Sequence, residues 1–225
     1  ELEPDMQGPA ATLQNIETAV KAVLADSKFP VMLGGEHSIS SAPIKAVRDK
    51  YGAGLSVLQL DAHSDLRDTY ENTPYNHAAV MRRVIDLVKL TQVGIRNTCR
   101  DEMEFIKKSG HDGIIWASEM TGPDNAWIDR VMSRLTDNVY VTVDLDAFDP
   151  SIMPATGTPE PGGMLWYPTL QLLNRVIDEK NVVGFDVVEL CPIPGNVAPD
   201  FLAAKLVFKM LGRIFKKNGW IGGED

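Results

Sequence analysis

The sequence predicts an α/β fold, a mainly parallel sheet layered between helices, and three observations carry that expectation. Apolar strand-like runs alternate with helical patterns along the whole chain. Strands such as VYVTV and NVVGFDVV are apolar nearly throughout, as a strand covered on both faces by crossover helices requires. No repeat of fixed period, low-complexity tract or Ser/Gly-rich linker divides the chain, so its 225 residues are read as one domain. With 44% hydrophobic and 24% charged residues, such a chain can bury roughly 70% of its unfolded surface.

Taken in order, Leu13, Ile16, Val20, Val23 and Leu24 share one face of a helix over Thr12–Leu24, and Lys28-Phe-Pro breaks it. A short strand over Val31–Leu33 follows, then a helix near Ser41–Tyr51 and a strand over Leu55–Leu60. The pattern continues with a helix over His77–Val88 and a strand over Leu90–Ile95. Helices near Asp101–Lys108, Asn125–Leu135, Thr169–Glu179 and Phe201–Lys217 flank strands at Gly113–Trp116, Val139–Val143 and Val182–Val188. Two long segments, Asp61–Asn76 and Asp146–Pro168, have no periodicity, and loops of that length in a compact domain are usually functional.

Composition narrows the function. The 22 basic and 31 acidic residues give a net charge of -9, which offers no general attraction to nucleic acid or anionic lipid and suits cationic small molecules or metal ions. No apolar run approaches the roughly 20 residues of a membrane helix, and the N-terminus has no secretory-signal pattern. Two cysteines, Cys99 and Cys191, make no disulfide framework, so a reducing cytoplasm is the expected location.

Ligands of open parallel sheets bind beyond the carboxyl ends of the strands, and four strand ends here are chemically loaded. GGEHS delivers His37; DAHSD delivers Asp61, His63 and Asp65; VDLDAFDP delivers Asp144, Asp146 and Asp149; VVEL delivers Glu189. Residues at i, i+2 and i+4 of an extended segment point to one side, so Asp61, His63 and Asp65 are expected to converge, with Asp144 and Asp146 repeating the spacing on another strand. Four carboxylates in a small volume repel one another unless cations are present. Two divalent ions balance that charge, and an oxygen-rich set with two imidazoles favours Mn²⁺ over zinc. Gly-Gly-x-His alone describes a turn, and Asp149-Pro150 is read as one; the conjunction of the three segments points to a binuclear centre. His111 reads as a turn histidine and Cys191 as a small packed side chain.

The stretches LGGEHSISSAPIKA, VLQLDAHSD and TVDLDAFDPSIMPATGTPEPGG occur in the order found in the ureohydrolase family, the arginase and agmatinase group, which the sequence resembles over most of its length. The resemblance implies a three-layer αβα, arginase-like domain without its N-terminal strand–helix segment. It implies two Mn²⁺ per chain: His37 and Asp65 would hold one, His63 and Asp146 the other, and Asp61 and Asp144 would bridge them. It further implies hydrolysis of a guanidinium group to urea and an amine. Asp65 would orient the attacking water, Glu189 would pair with the guanidinium, whose planar donors match a carboxylate, and His77 would relay protons to the departing amine.

After DAHSD the chain reads LRDTYENTPYNHAAVMRRV, similar to agmatinases, and Asn97 and Thr98 stand after VGIR where arginases carry an acid. Agmatine is therefore the expected substrate, a small cationic guanidino compound. Guanidinobutyrate, arginine or formiminoglutamate are the alternatives, and Arg67, Arg82 or Arg100 are the side chains that could meet a substrate carboxylate, although all three read as solvated surface. A formimino or acyl amide hydrolase on the same fold, or a non-catalytic metal- or polyamine-binding module if Glu1 is the native start, complete the competing readings. The family resemblance implies trimers or hexamers.

Overall fold

A computed structural model describes residues 1–122 and 126–220. Six strands form one sheet, β1 (Val31–Leu33), β2 (Leu55–Leu60), β3 (Lys89–Ile95), β4 (Ile114–Trp116), β5 (Asn138–Asp144) and β6 (Asn181–Val188). Their order is β1-β6-β5-β2-β3-β4, and every pairing is parallel. Six α-helices occur among the described residues: α1 (Pro9–Ala25), α2 (Ser41–Tyr51), α3 (Arg100–Ser109), α4 (Trp127–Arg134), α5 (Trp166–Glu179) and α6 (Ala198–Lys217). The alternation legible in the sequence is thus a three-layer α/β domain. The expected helix residue Asn125 lies outside the described residues.

Period-two alternation sends strand side chains to two cores. Leu58, Leu60, Val139, Val141 and Val143 pack with α4, α5 and α6 on one face. Leu55, Val57, Leu90, Tyr140 and Val183 pack with α1, α2 and the edge of α3 on the other. The helices supply matching stripes, such as Leu206, Met210 and Ile214 at i, i+4 and i+8 of α6. Proline at the first turns of α1 and α6 starts both helices at positions that lack an intrahelical partner in any case.

The helix expected over His77–Val88 does not form. Two short 3₁₀ turns, His77–Ala79 and Met81–Arg83, stand in its place. The reason is a competition for backbone partners: the N–H groups of Met81 and Arg82 both donate to the Asp65 carbonyl at 3.1 Å, and the Ala78 carbonyl accepts from Arg67 N at 3.0 Å. An α-helix would need those groups for itself. Tertiary bonds to the preceding loop outweigh an apolar periodicity that suited a helix.

Two charged side chains fasten the long loops. Glu102 on α3 is buried, and its Oε1 accepts from Ser64 Oγ at 2.7 Å and Leu66 N at 2.9 Å, while Oε2 accepts from Cys99 N at 2.8 Å. Arg96, just past β3, donates from its guanidinium to the carbonyls of Asp146 at 2.7 Å and Glu160 at 2.8 Å, tying the two ends of the other long loop together. Gly163 must be glycine there, because an added Cβ would lie 2.5 Å from Asp149 N and 2.7 Å from the Arg96 guanidinium.

Because Glu102 satisfies three donors at once, Glu102→Ala is expected to lower unfolding free energy by about 3 kcal/mol, at the upper end for charge-assisted hydrogen bonds. Chemical denaturation of the purified protein checks this; a loss under about 1 kcal/mol would mean that Ser64 and Leu66 find other acceptors.

Candidate metal centre

The carboxyl ends of β2 and β5 bring Asp61 and Asp144 to the same edge of the sheet, since Leu60 is paired with Val143. His37 arrives from a 3₁₀ turn directly after β1. Two groups of side chains result whose ligand atoms lie within 4.8 Å of one another: His37, Asp61 and Asp144, and Asp61, His63 and Asp146. Asp61 belongs to both. Its Oδ2 lies 3.1 Å from His37 Nδ1, and its Oδ1 lies 3.6 Å from His63 Nδ1.

His37 is completely buried, and Nδ1 faces Oδ2 of Asp65 at 3.0 Å, of Asp61 at 3.1 Å and of Asp144 at 3.2 Å. That nitrogen nevertheless has no hydrogen-bond partner. The other ring nitrogen explains its state. Nε2 is 3.0 Å from Thr142 Oγ1, whose own hydroxyl donates to Asp186 Oδ1 at 2.6 Å. With its proton committed to Asp186, the Thr142 oxygen can only accept, so Nε2 carries a proton and Nδ1 is the nitrogen that becomes a ligand once its own proton leaves. A buried ring nitrogen facing three carboxylate oxygens is the donor set of a cation. The residues present therefore fit divalent metal.

The second group is more open. His63 Nδ1 is 2.9 Å from Asp146 Oδ2, and its Nε2 is 3.9 Å from Glu160. Neither aspartate segment converges by strand alternation alone, as the sequence suggested. Asp65 has φ 53° in the left-handed region, which turns its carboxylate back toward His37, and Asp146 lies in a 3₁₀ turn after β5. The Asp146 N–H donates to Asp144 Oδ1 at 2.8 Å, so Asp144 reaches only the His37 group, and the bridging geometry expected of both aspartates is seen for Asp61.

A third group adjoins the first. Glu189 also adopts a left-handed conformation, φ 65°, and its Oε1 accepts from His37 N at 2.7 Å. Non-glycine residues rarely hold that conformation, and such strain concentrates at functional sites. Glu189 lies with Glu36 and His77 in a cluster open to solvent. His77 Nδ1 is 3.1 Å from Glu36 Oε1, and Glu36 also accepts from Ser38 Oγ in a very short contact.

The proton affinities follow from this packing. Burial opposes charge on His37 and His63, yet Asp144, Asp61 and Asp65 raise His37 well above the ordinary imidazole range, and Asp146 with Asp61 raises His63 to about 11. Burial and the Asp61 charge push Asp65 up to about 7. Burial and neighbouring carboxylates also raise Asp144 and Asp146, whereas the two imidazoles hold Asp61 low against its burial. Glu189 is raised by burial, and Glu36 is lowered by its bonds with His77 and Ser38 despite burial.

All six ligand candidates read from the sequence therefore meet, with His77 and Glu189 beside them. Asp149 serves a turn, its carboxylate accepting from the N–H groups of Ser151, Gly162 and Gly163. Cys191 is exposed and not packed. Arg67 lies over the Tyr70 ring, Arg82 over Phe105, and Arg100 is paired with Glu104 on the surface. Asn97 bonds Glu160, and Thr98 is engaged with Ser64. Sequence reasoning missed Glu36, Thr142, Asp186, Gln59 and Gln92. The last four are buried polar residues on strand segments that otherwise read as apolar, and that interruption is the signal that would have found them.

A family model described as the arginase family matches residues 2–212. The chain is 37% identical over 211 residues to the N(1)-aminopropylagmatine ureohydrolase of Synechocystis sp., covering 93% of this chain and 68% of that protein. It is 36% identical over 215 residues to the agmatinase of Pyrococcus horikoshii, covering 91% and 73%. Among solved structures, the agmatine ureohydrolase of Thermoplasma volcanium superposes with a TM-score of 0.84 at 33% identity, covering 96% of this chain and 73% of that one.

Protons on His37, His63 and Asp65 compete with metal, so affinity is expected to rise with pH. The raised groups are protonated at low pH and must be emptied for loading. Between pH 7 and 9, where both imidazoles hold protons, the apparent affinity for Mn²⁺ should gain at least about tenfold per pH unit, and more steeply below pH 7, where Asp65 joins them. Calorimetric titration across that range, in buffers of different ionisation enthalpy, measures the released protons; a flat profile would refute the reading.

Proposed function

The chain belongs to the arginase family and is a hydrolase acting on C–N bonds, and on that premise we propose that it is a binuclear manganese enzyme converting agmatine and water to putrescine and urea. The observation that carries the reading is the strained Glu189 carboxylate beside the paired acid–imidazole groups. A carboxylate beside the candidate metal centre supports Glu189 as the guanidinium partner. His37, Asp61, His63, Asp65, Asp144 and Asp146 are the proposed ligands for two Mn²⁺ per chain. Bound there, a pair of divalent ions supplies Lewis-acid activation of water near neutral pH.

The protein's own groups account for the remaining steps. Glu189 accepts hydrogen bonds from the guanidinium fork and fixes the carbon to be attacked. Asp65 orients the water by hydrogen bonding and takes its proton. Glu36 is held anionic and can only accept, so His77 donates Nδ1–H to it and exchanges protons through Nε2. As the C–N bond breaks, the leaving nitrogen takes a proton from His77 Nε2 and departs as the amine; the remaining hydroxyl proton of the former water returns to His77 as urea forms, and the proton held by Asp65 passes to the amine, which leaves protonated. Glu36 and Asp65 raise His77 against its partial burial, favouring the charged form that serves as the acid.

Agmatine is favoured over arginine because Arg67, Arg82 and Arg100, the side chains that could meet an α-carboxylate, are engaged with Tyr70, Phe105 and Glu104, and Asn97 is occupied by Glu160. Relatives of nearly equal identity carry the names agmatinase and N(1)-aminopropylagmatine ureohydrolase, and the longer polyamine is the second substrate to try. We also propose that the chain works in the cytoplasm as a homo-oligomer, a trimer or hexamer. No helix among the described residues is long and apolar enough to cross a membrane.

Urea release by Mn²⁺-loaded protein from agmatine, N(1)-aminopropylagmatine, guanidinobutyrate and arginine is expected to be greatest with agmatine. No urea from any of them would refute guanidine hydrolysis. Glu189→Gln is expected to cut kcat/KM by about 100-fold or more, roughly 2.7 kcal/mol of transition-state stabilisation, with metal content still near two; unchanged turnover would remove Glu189 from substrate recognition. His63→Ala is expected to lose metal, since a vacated position leaves buried carboxylates uncompensated; elemental analysis still finding two ions would contradict its role.

A further inference from the structure

Four polar residues cross the centre of the sheet in a single register row. Gln92 on β3 is paired with Gln59 on β2, Gln59 with Thr142 on β5, and Thr142 with Asp186 on β6. All four are fully buried. Asp61 directly follows the end of β2, two residues beyond Gln59, so this row is the floor beneath the acid cluster. The Thr142–Asp186 half fixes His37, and the glutamine half has a partner of its own.

Gln59 Nε2 donates to Asp61 Oδ2 at 2.6 Å. Its Oε1 accepts from Gln92 Nε2 at 2.6 Å, and the same Gln92 amide nitrogen donates to the Ser64 carbonyl at 2.7 Å. Gln92 Oε1 lies 3.1 Å from His111 Nε2, which must be the donor because an amide oxygen only accepts. The polarity runs one way throughout, from His111 through two amides to the carboxylate. Reversing Gln92 would set its oxygen against the Ser64 carbonyl, and reversing Gln59 would set an oxygen against Asp61. Neither amide titrates, so the donor facing Asp61 is the same at every pH.

Asp61 is the one residue shared by both imidazole groups. We infer that Gln59 and Gln92 are positioning residues for it, a two-amide strut braced at His111 and Ser64 that holds the carboxylate at the angle reaching both metal positions. The inference rests on the metal-pair reading given above. It assigns His111 a place at the outer end of the strut, beyond the turn that the sequence suggested.

The test measures metal directly. Gln59→Met and Gln92→Met keep length and burial but remove the amides. With fold checked by cooperative thermal unfolding, Mn²⁺ titration followed by calorimetry and by electron paramagnetic resonance should show at least one of the two ions bound about 10- to 100-fold more weakly in Gln59→Met, with a weakened spin-coupled signal. Gln92→Met should move the same quantities in the same direction by less. Folded variants with wild-type affinities and spectrum would overturn the inference, as would failure of both variants to fold, which would make the strut purely part of the scaffold. Wild-type protein that takes up no pair of ions would instead overturn the metal-centre reading and this inference with it. Two ions in the wild type with unaltered variants would overturn this inference alone.

Discussion

Mutual repulsion among four aspartates in an almost dry volume is the constraint on which the rest of the structure depends. Two like charges about 4 Å apart repel by about 4 kcal/mol at an effective dielectric of about 20, and Asp61, Asp65, Asp144 and Asp146 are all buried. Positive charge must be present wherever all four are ionised. Against burial, the neighbouring carboxylates raise the imidazoles of His37 and His63 for that reason, and burial with the neighbouring charges raises Asp65 and Asp144. Divalent cations would meet the same need for positive charge. The crowding of these carboxylates and a donor set that fits divalent metal are therefore two aspects of one arrangement.

Such an arrangement survives only if its members cannot turn away from one another. Two devices prevent that. The polar row Gln92–Gln59–Thr142–Asp186 supplies fixed donors and acceptors from below, so that Asp61 and His37 are each held by a group of defined polarity. The parallel register places those four residues side by side, and the side-chain period of two brings Asp61 and Asp144 back to the same face one step later. From the side, Glu102 fastens the 61–76 loop and Arg96 ties Asp146 to Glu160. Each clamp uses a charged group to satisfy backbone atoms that an irregular loop would otherwise leave unpaired.

Strain marks where chemistry was placed ahead of backbone comfort. Asp65 and Glu189 are two of the five non-glycine residues with positive φ among the described residues, and both carry carboxylates turned toward the centre. Asp65 is stabilised in that pose by the Met81 and Arg82 N–H groups on its carbonyl, and Glu189 by its bonds to Gly35 and His37. The 3₁₀ turns that replace a helix at His77–Arg83 are part of the same accommodation. They set His77 beside Glu36 while donating backbone bonds to the strained loop.

The sequence by itself determined the alternation of strand and helix, the parallel sheet and the six acid and imidazole side chains at its carboxyl edge, because apolar periodicity and strand-end position are local properties. Family resemblance added the expected roles of Glu189 and His77, which spacing could not supply. Tertiary structure alone decided that Asp65 curls back through a left-handed turn, that Asp61 reaches both groups while Asp144 reaches one, and that residues 77–88 abandon their helix. It also decided which buried polar residues matter: Gln59 and Gln92 are 33 positions apart and become a single strut only when β2 and β3 lie in register. Hydrogen bonds between distant segments decide these features, and a pattern read along one chain contains no term for them.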